Sequence, residues 1–298
     1  MVAAGVRPIV VGVDGSTAAT HAVGWAAQEA LRRDLPLVIV HACALVPVTV
    51  PYAEALVPAY HRAQLEYGRE WLDAAESAAR DAAPDVRVST DLARGWAAEQ
   101  LIARSASAEL VVLGSRGLGG FTGLVVGSIA VAVATYGHCP IVVVRGADAR
   151  TEPRHEGPVV VGVDGSPTSA AAIPFAFRAA ASRGVPLVAV HTWLDLPLGG
   201  FGEIGVDVAW AAIEREQHAL VGEWLAPARA DYPDVPVELV IARHRPAHTL
   251  LEQAENAQLA VVGSRGRGGF RGLLLGSTSH ALIYHAACPV AVVPPPRP

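Results

Sequence analysis

Most of the sequence is present in two copies. VVGVDGS stands at residues 10–16 and recurs, letter for letter, at 160–166. GSRG stands at 114–117 and recurs at 263–266, so the separation falls from 150 residues to 149 along the chain. A repeat of this length in 298 residues indicates two domains of one fold, since domains usually run to ~100–200 residues. We therefore expect two domains and a polar linker, at residues 1–146, 157–298 and 147–156.

Strand and helix patterns alternate within each copy. Five short apolar runs without polar alternation indicate strands that are buried on both faces, as in a parallel sheet. In the first copy they lie at residues 9–13, 37–40, 86–89, 110–113 and 141–144. Residues 18–33 carry Ala and Val on one helical face, and Ser16 is placed to cap that helix. The second copy has Ser166 at the cap and Pro167 at the first helical position.

The alternation predicts an α/β fold with two tandem doubly wound domains. Each domain is expected to be an open, mostly five-stranded parallel sheet with helices on both faces, Rossmann-like in its winding. Ligands of such sheets bind outside the carboxyl ends of the strands, where the strand order reverses. The residues that follow the strands are therefore the candidates for function.

Composition excludes several classes of protein. The chain is 52% hydrophobic, but no apolar stretch approaches the ~20 residues of a membrane span, and the first residues do not resemble a signal peptide. A net charge of −5 argues against nucleic acid, and the cluster of Arg265, Arg267, Phe270 and Arg271 is weak support for it because the first copy lacks two of these arginines. We expect a cytoplasmic protein without membrane insertion or a nucleic-acid partner.

A glycine-rich loop follows the fourth strand of each copy, with GSRGLGGFTGLVVGS at 114–128 and GSRGRGGFRGLLLGS at 263–277. Glycines let backbone N–H groups converge on an anion, and the helix expected at Ser128 or Ser277 adds its positive end. A plain flexible turn is the alternative, since duplication would copy it equally well. The Walker loop is excluded because the chain has no lysine, and G-x-G-x-x-G fails at Thr122 and Arg271.

Both loops instead fit the pattern G-x2-G-x9-G-S. The matching residues are Gly114, Gly117, Gly127 and Ser128 in the first copy and Gly263, Gly266, Gly276 and Ser277 in the second. Three further features accompany this pattern in each copy: the VGVDGS segment, a His at the end of strand two and a CP pair before the last strand. In these features the chain resembles the ATP-binding universal stress proteins over almost its whole length. The nearest resemblance is to two-domain members from actinobacteria, including dormancy-associated mycobacterial ones.

The resemblance implies that each domain binds ATP, and that Mg²⁺ can be bound together with the phosphates. It places the glycine loop around ribose and phosphates, and the strand-one Asp and the backbone after strand two near the adenine. The candidate binding residues of the first copy are Gly12, Asp14, Ala42, Gly114, Ser115, Arg116, Gly117, Gly119, Gly127 and Ser128. Those of the second copy are Gly162, Asp164, Thr192, Gly263, Ser264, Arg265, Gly266, Arg267, Gly268, Gly276 and Ser277.

Several of these residues have a structural alternative. Asp14 and Asp164 fit an Asx-turn, and Arg116 and Arg265 could be solvated side chains. A further set is expected to be structural, namely the buried hydrogen-bonded His41 and His191 and the apolar fillers Cys139 and Cys288. The three cysteines are far apart, which argues against a disulfide or zinc site. No catalytic or metal-ligand spacing stands out.

Three functions remain open at the sequence level. The first is an ATP-binding regulatory module of stress, dormancy or growth control. The second is a slow ATPase or a nucleotidyl or phosphoryl transferase at the same site, although no base or carboxylate cluster is evident. The third is a dimerisation module that binds nothing. The resemblance also implies that the two domains pair through their last strands, 141–144 and 290–293, and that chains form homodimers.

Overall fold

The structure is a computed structural model that describes residues 5–44, 57–118, 126–145, 153–193, 207–243, 245–267 and 275–296, with the backbone alone over 207–212. The chain divides into two compact units, Met1–Pro153 and Arg154–Pro298.

Strands and helices alternate along both units. The elements of the first unit are β1 (Ile9–Gly12), α1 (Thr17–Arg32), β2 (Leu37–Cys43), α2 (Val57–Ala82), β3 (Val88–Arg94), α3 (Ala97–Ser105), β4 (Leu110–Gly114), α4 (Ser128–Tyr136) and β5 (Ile141–Val144). Those of the second are β6 (Val159–Gly162), α5 (Pro167–Arg183), β7 (Leu187–Thr192), α6 (Asp207–Asp231), β8 (Val237–Ala242), α7 (Pro246–Ala254), β9 (Leu259–Gly263), α8 (Ser277–His285) and β10 (Val290–Val293).

The strands of each unit form a parallel sheet with the same order. In the first unit it runs β3-β2-β1-β4-β5, and in the second β8-β7-β6-β9-β10. Helix α1 packs on α2 and α3 on α4, as α5 does on α6 and α7 on α8. The described part of each unit is therefore the doubly wound α/β sheet that the sequence predicts.

Helix α1 confirms the predicted inward face. The apolar positions of its stripe are all buried, namely Ala19, Ala22, Val23, Ala26, Ala27 and Ala30. Ser16 caps the helix by accepting a hydrogen bond from the amide of Ala19 at 3.2 Å. Ser166 caps α5 in the same way, with Pro167 as the first helical residue. The local sequence thus fixes where each first helix begins.

Two strand predictions need correction. Strand β3 was expected at residues 86–89 but begins at Val88 and ends at Arg94, and most of its side chains are partly or fully exposed. It is the outermost strand of its unit's order and pairs with β2, so it does not need an apolar run. Strand β2 continues to Cys43, and Ala42 pairs with Ala93 inside the ladder rather than following the strand. Thr192 is likewise the last residue of β7.

Strand order reverses between β1 and β4, where the functional residues were expected. Gly12 lies opposite Leu113 in the ladder, so the turn after β1 and the glycine loop after β4 leave the same edge side by side. The corresponding strands β6 and β9 bring the same two segments together in the second unit. This edge is the switch point of a doubly wound sheet.

Candidate functional site

The strand-one aspartate ties the turn after β1 to the glycine loop. Asp14 Oδ1 accepts from the amide of Ser16 at 3.1 Å, and Oδ2 accepts from the amide of Leu118 at 2.9 Å. Asp164 does the same with Ser166 at 2.9 Å and Arg267 at 3.0 Å. The Asx-turn alternative is therefore present, with a second bond to the loop added. Contact of these carboxylates with a ligand stays a prediction.

The second glycine of each motif has a partner that the sequence did not reveal. A Cβ added at Gly117 would collide with Asp14 Oδ2, and one added at Gly266 would lie 2.6 Å from Asp164 Oδ2. Any side chain there would displace the aspartate from its bond to the loop amide. Glycine at this position is thus explained by the protein's own packing.

The first glycine is explained in the same way. A Cβ on Gly114 would stand 2.6 Å from the backbone carbonyl carbon of Ala18, at the start of α1. Gly263 meets Thr168 at the equivalent place, with 2.8 Å to its backbone carbon. The end of the fourth strand therefore requires glycine because the first helix crosses directly over it.

Packing among the described residues does not explain the third glycine of the motif. Gly127 and Gly276 are the N-cap residues of α4 and α8 and have ordinary extended dihedrals, with φ of −74° and −69°. The closest atoms to an added Cβ lie at 3.8 Å for Gly127 and 3.4 Å for Gly276. The described residues thus leave room for a methyl group at both positions.

A cavity of about 780 Å³ opens at the switch point of the second unit. Its wall includes nine of the predicted residues, namely Gly162, Asp164, Thr192, Gly263, Arg265, Gly266, Arg267, Gly276 and Ser277. Ser264 is buried beneath the loop, as Ser115 is in the first unit. Gly119 and Gly268 lie outside the described residues. The structure brings these nine residues of the second copy together around one cavity, and what fills the cavity stays a prediction.

Helix α8 begins at the wall of this cavity. Ser277, Thr278 and Ser279 form its first turn and line the cavity, and no side chain caps the helix at Gly276. The Ser279 hydroxyl instead donates to the carbonyl of Gly263 at 2.6 Å, which fixes the turn to the end of β9. Free amides and the helix dipole make this end of the cavity attractive to an anion.

The universal stress protein family model matches residues 5–145 and again 157–294. The chain belongs to the universal stress protein family. A universal stress protein of Mycolicibacterium smegmatis is 40% identical to it over 292 residues, which cover 96% of this chain and 97% of the relative. One of Mycobacterium tuberculosis is 37% identical over 289 residues, 95% of each chain. The crystal structure of a universal stress protein from Archaeoglobus fulgidus shares the fold, with a TM-score of 0.70 at 18% identity over 97% of this chain and 98% of that one.

The arginines of this universal stress protein differ in their surroundings. Arg116 and Arg265 are exposed, and Arg265 lines the cavity. Arg267 lines it too, but its guanidinium lies over the indole of Trp224, 5.0 Å from the ring centroid. A cation on a tryptophan face is an attractive arrangement, so Arg267 has a protein partner that the loop sequence alone did not indicate. Thr122, Phe270 and Arg271 lie outside the described residues.

The two histidines confirm the structural prediction. His191 Nδ1 lies 2.6 Å from the carbonyl oxygen of Val163, and His41 Nδ1 lies 2.8 Å from that of Val13. Both rings are buried, and each meets a tryptophan edge to face, His191 with Trp224 and His41 with Trp71. The imidazoles therefore fix the turn after the first strand, and each donates from Nδ1 because a carbonyl can only accept.

The long helices contribute residues that the sequence analysis missed. Gln217 lines the cavity, and its Oε1 lies 3.1 Å from His191 Nε2. Trp224 stands seven residues further along α6. The first copy repeats this spacing with Gln64 and Trp71 on α2. The repeated Q-x6-W pattern was the available signal, but the helices differ in most other positions and the offset there is 153 residues.

The three cysteines of the chain are all buried. Cys43, Cys139 and Cys288 are buried thiols that form no disulfide, and burial raises the pKa of the Cys43 thiol. Among the described residues, no group of three or more His, Cys, Asp or Glu side chains could hold a metal ion. No helix in that part of the chain is long and apolar enough to cross a membrane.

Proposed function

We propose that this universal stress protein binds ATP in both domains and acts as a nucleotide-dependent regulatory module in stress, dormancy or growth control. The glycine loops, the strand-one aspartates and the backbone at the end of strand two are the proposed contacts. In the second domain they surround a cavity whose volume of about 780 Å³ falls in the ~300–1,000 Å³ range of small-molecule sites.

The observation that carries the proposal is the third glycine of the motif. Packing against the protein explains Gly114 and Gly117, but the described residues leave room for a methyl at Gly127 and Gly276. Glycine at a position with ordinary dihedrals and free space is expected where something outside the protein approaches the backbone closely. Gly276 also lines the cavity at the start of α8, where an anion is favoured.

Charge supports a phosphate at this end of the cavity. Arg265 and Arg267 line it together with the first turn of α8. Donors of these kinds suit a phosphate chain, since charge-assisted hydrogen bonds to phosphate are short and roughly twice as strong as neutral ones. Thr192, at the end of β7, lies on the wall that comes from the neighbouring strand and would face the base.

The test is alanine at the third glycine. Gly127→Ala combined with Gly276→Ala should leave the fold intact but weaken ATP binding at least ~tenfold, because a methyl against a phosphate removes contacts of ~1.5–3 kcal/mol. Gly222→Ala is the matched control, since no atom of the described residues outside its own helix lies within 4 Å of a Cβ added there. A folded double variant that binds ATP as the wild type does would remove the phosphate from this position.

Glutamate at the second glycine of each motif is a larger change, and it can abolish ATP binding for two different reasons. Gly117→Glu with Gly266→Glu should abolish ATP binding through repulsion between the new carboxylates and phosphate. The same side chains would also push Asp14 and Asp164 away from the loop amides. Loss of ATP binding in the glutamate variant therefore supports the site only if Gly127→Ala with Gly276→Ala also weakens ATP binding. A folded variant that binds ATP normally would still contradict the assignment.

The regulatory role predicts occupancy without rapid turnover. Phosphoryl transfer needs a placed base and bound metal near the γ-phosphate, and the proposal assigns neither to this chain. Phosphate release from saturating ATP should therefore stay close to the rate without protein. Release clearly above that background rate would favour the alternative, a slow ATPase or a nucleotidyl or phosphoryl transferase at the same site.

A further inference from the structure

The cavity of the second domain is lined by hydroxyl groups that the first copy mostly lacks. Five serine and threonine residues stand on its wall, namely Ser169, Thr192, Ser277, Thr278 and Ser279. The first copy has serine at one of the aligned positions, Ser128, and apolar residues at the other four, namely Ala19, Ala42, Ile129 and Ala130. Both copies keep the same glycine motif. The hydroxyl groups therefore bear on what each site prefers to bind.

Thr278 has a hydroxyl group that its helix does not use. Thr20, Thr135 and Thr249 each donate to the carbonyl four residues earlier. Thr278 is the second residue of α8, so the helix offers it no carbonyl at that distance. Its hydroxyl makes no hydrogen bond to another described residue, and the side chain is partly buried on the cavity wall. The Thr278 hydroxyl is therefore available to a ligand in the cavity.

Ser279 fixes the turn of helix that carries Thr278. Its hydroxyl donates to the carbonyl of Gly263 at 2.6 Å, which joins the start of α8 to the first glycine of the motif. Ala130 has no group that could make this bond in the first copy. The first amides of α8 have no acceptor within the helix, and they belong to the same turn as the Thr278 hydroxyl. Together they form a set of donors suited to one anionic group.

Ser169 gives independent evidence that this cavity takes a ligand with acceptor oxygens. The residue is only 2% exposed and lines the cavity. Its Oγ accepts from the amide of Asp164 at 3.2 Å, and its hydroxyl hydrogen has no acceptor among the described residues. A buried donor without an acceptor is costly. An oxygen atom of a bound molecule is therefore expected to accept this hydrogen bond.

The corresponding helix of the first domain begins differently. Ile129 is the second residue of α4, where α8 has Thr278, and its side chain is 42% exposed. An isoleucine offers a ligand an apolar contact but no hydrogen-bond donor. The first amides of α4 remain, so the first domain keeps only part of the donor set for an anion.

We infer that the second domain selects for the phosphate chain of its nucleotide through Thr278, whereas the first domain distinguishes less between ATP and adenosine. The inference rests on the proposed function. The Thr278 hydroxyl donates to a phosphate oxygen beside the amides of α8, and a hydrogen bond to an ionised group is stronger than one to a neutral group. Thr278 and Ile129 are thus the residues that determine this specificity in the two domains.

Titration calorimetry on the full chain with ATP and with adenosine tests the selection. In the wild type, the preference for ATP over adenosine should be about five- to tenfold larger at one site than at the other, the value of one partly exposed hydrogen bond to a charged group. Thr278→Val keeps the side-chain shape and should remove this difference by weakening ATP and leaving adenosine unchanged. Ile129→Thr is the reciprocal change and should strengthen ATP at the other site. Thr135→Val is the control, since that hydroxyl bonds to Val131 within α4.

The outcomes separate this inference from the proposal beneath it. Equal weakening of ATP and adenosine by Thr278→Val would show a merely structural role for the hydroxyl and overturn the inference. Two wild-type sites with the same preference, or an ATP affinity that Thr278→Val leaves unchanged, would overturn it as well, while ATP binding itself would stand. A wild type that binds no ATP would remove the proposed function and the inference together.

Discussion

The contact of Arg267 with Trp224 changes the effect on ATP affinity that the loop sequences predict for Arg267→Leu. This substitution gives the second domain the residue that the first has at the aligned position, Leu118. The loop sequences alone predict tighter ATP binding in the second domain, because Arg267 and Arg271 replace Leu118 and Thr122 there. The preference should shrink for ADP or AMP and at high salt.

The contact with Trp224 reduces the expected size of that preference. A well-formed charge-assisted contact to phosphate contributes ~1.5–3 kcal/mol, but exposure in an open loop reduces it to a fraction of a kcal/mol or about one. A guanidinium that moves to phosphate must also leave the indole, at a loss of ~0.5–1 kcal/mol. The two contributions nearly cancel for Arg267. The second domain should therefore bind ATP no more than ~fivefold more tightly on account of this residue.

Titration calorimetry at low and high salt measures the two affinities. Arg267→Leu should change the affinity of the second site by less than ~fivefold and lower the free energy of unfolding by ~0.5–1 kcal/mol, the value of the lost cation–π contact. Leu118→Arg, with Trp71 in the place of Trp224, is the matched change in the first domain. A tenfold or larger loss of ATP affinity in Arg267→Leu would refute the cancellation. An unchanged unfolding free energy would refute the contact with Trp224.

Further predictions concern stability and reactivity. Ser16→Ala should lower the free energy of unfolding by ~1 kcal/mol, measured by urea unfolding, because it removes the cap of α1; an unchanged midpoint would contradict the cap. Val142→Glu and Val292→Glu should each lower the melting temperature by several degrees because both side chains are buried; retained wild-type melting would contradict their burial. Cys43 should react with iodoacetamide only after unfolding, since burial raises the pKa of its thiol and keeps it protonated near pH 7; rapid labelling of the folded chain would argue otherwise.

Domain pairing stays a prediction of the family resemblance. Because Val142 and Val292 are buried, glutamate at either position destabilises the chain whether or not the last strands pair. Disulfide cross-linking of cysteines introduced along residues 141–144 and 290–293 is the direct test. Cross-links between the two segments of one chain are expected, and their absence at every register would contradict the pairing. Sedimentation equilibrium tests the predicted homodimer.

The fold was largely predictable because its signals are local and repeated. Buried strands are recognised in the sequence as apolar runs. The start of each first helix is recognised from Ser16 or Ser166, whose side chain accepts a hydrogen bond from an amide only three residues further along the chain. Strand β3 was misplaced because an outer strand pairs on one side and needs no apolar run. Its bounds follow from pairing with β2, which the sequence of β3 does not encode locally.

The candidate site was predictable in place but not in detail. The motif spacing located the loop, and the structure brings most of the predicted second-domain residues around one cavity. The contact between Asp164 and Gly266 joins segments about 100 residues apart, and no local pattern shows it. Gln217 and Trp224 were missed because helix α6 meets the site through tertiary packing, and their helical spacing resembles that of ordinary core residues.

ATP binding by the wild-type chain tests the central claim most directly. Equilibrium dialysis of the full chain against labelled ATP, with Gly127→Ala and Gly276→Ala as single variants, counts the sites and assigns each to a domain. The account predicts two nucleotides per wild-type chain, and in either single variant one unchanged site and one site that needs at least ~tenfold more ATP for half-occupancy. A wild-type chain that retains no ATP at millimolar concentration, or single variants whose two sites both fill as in the wild type, would contradict it.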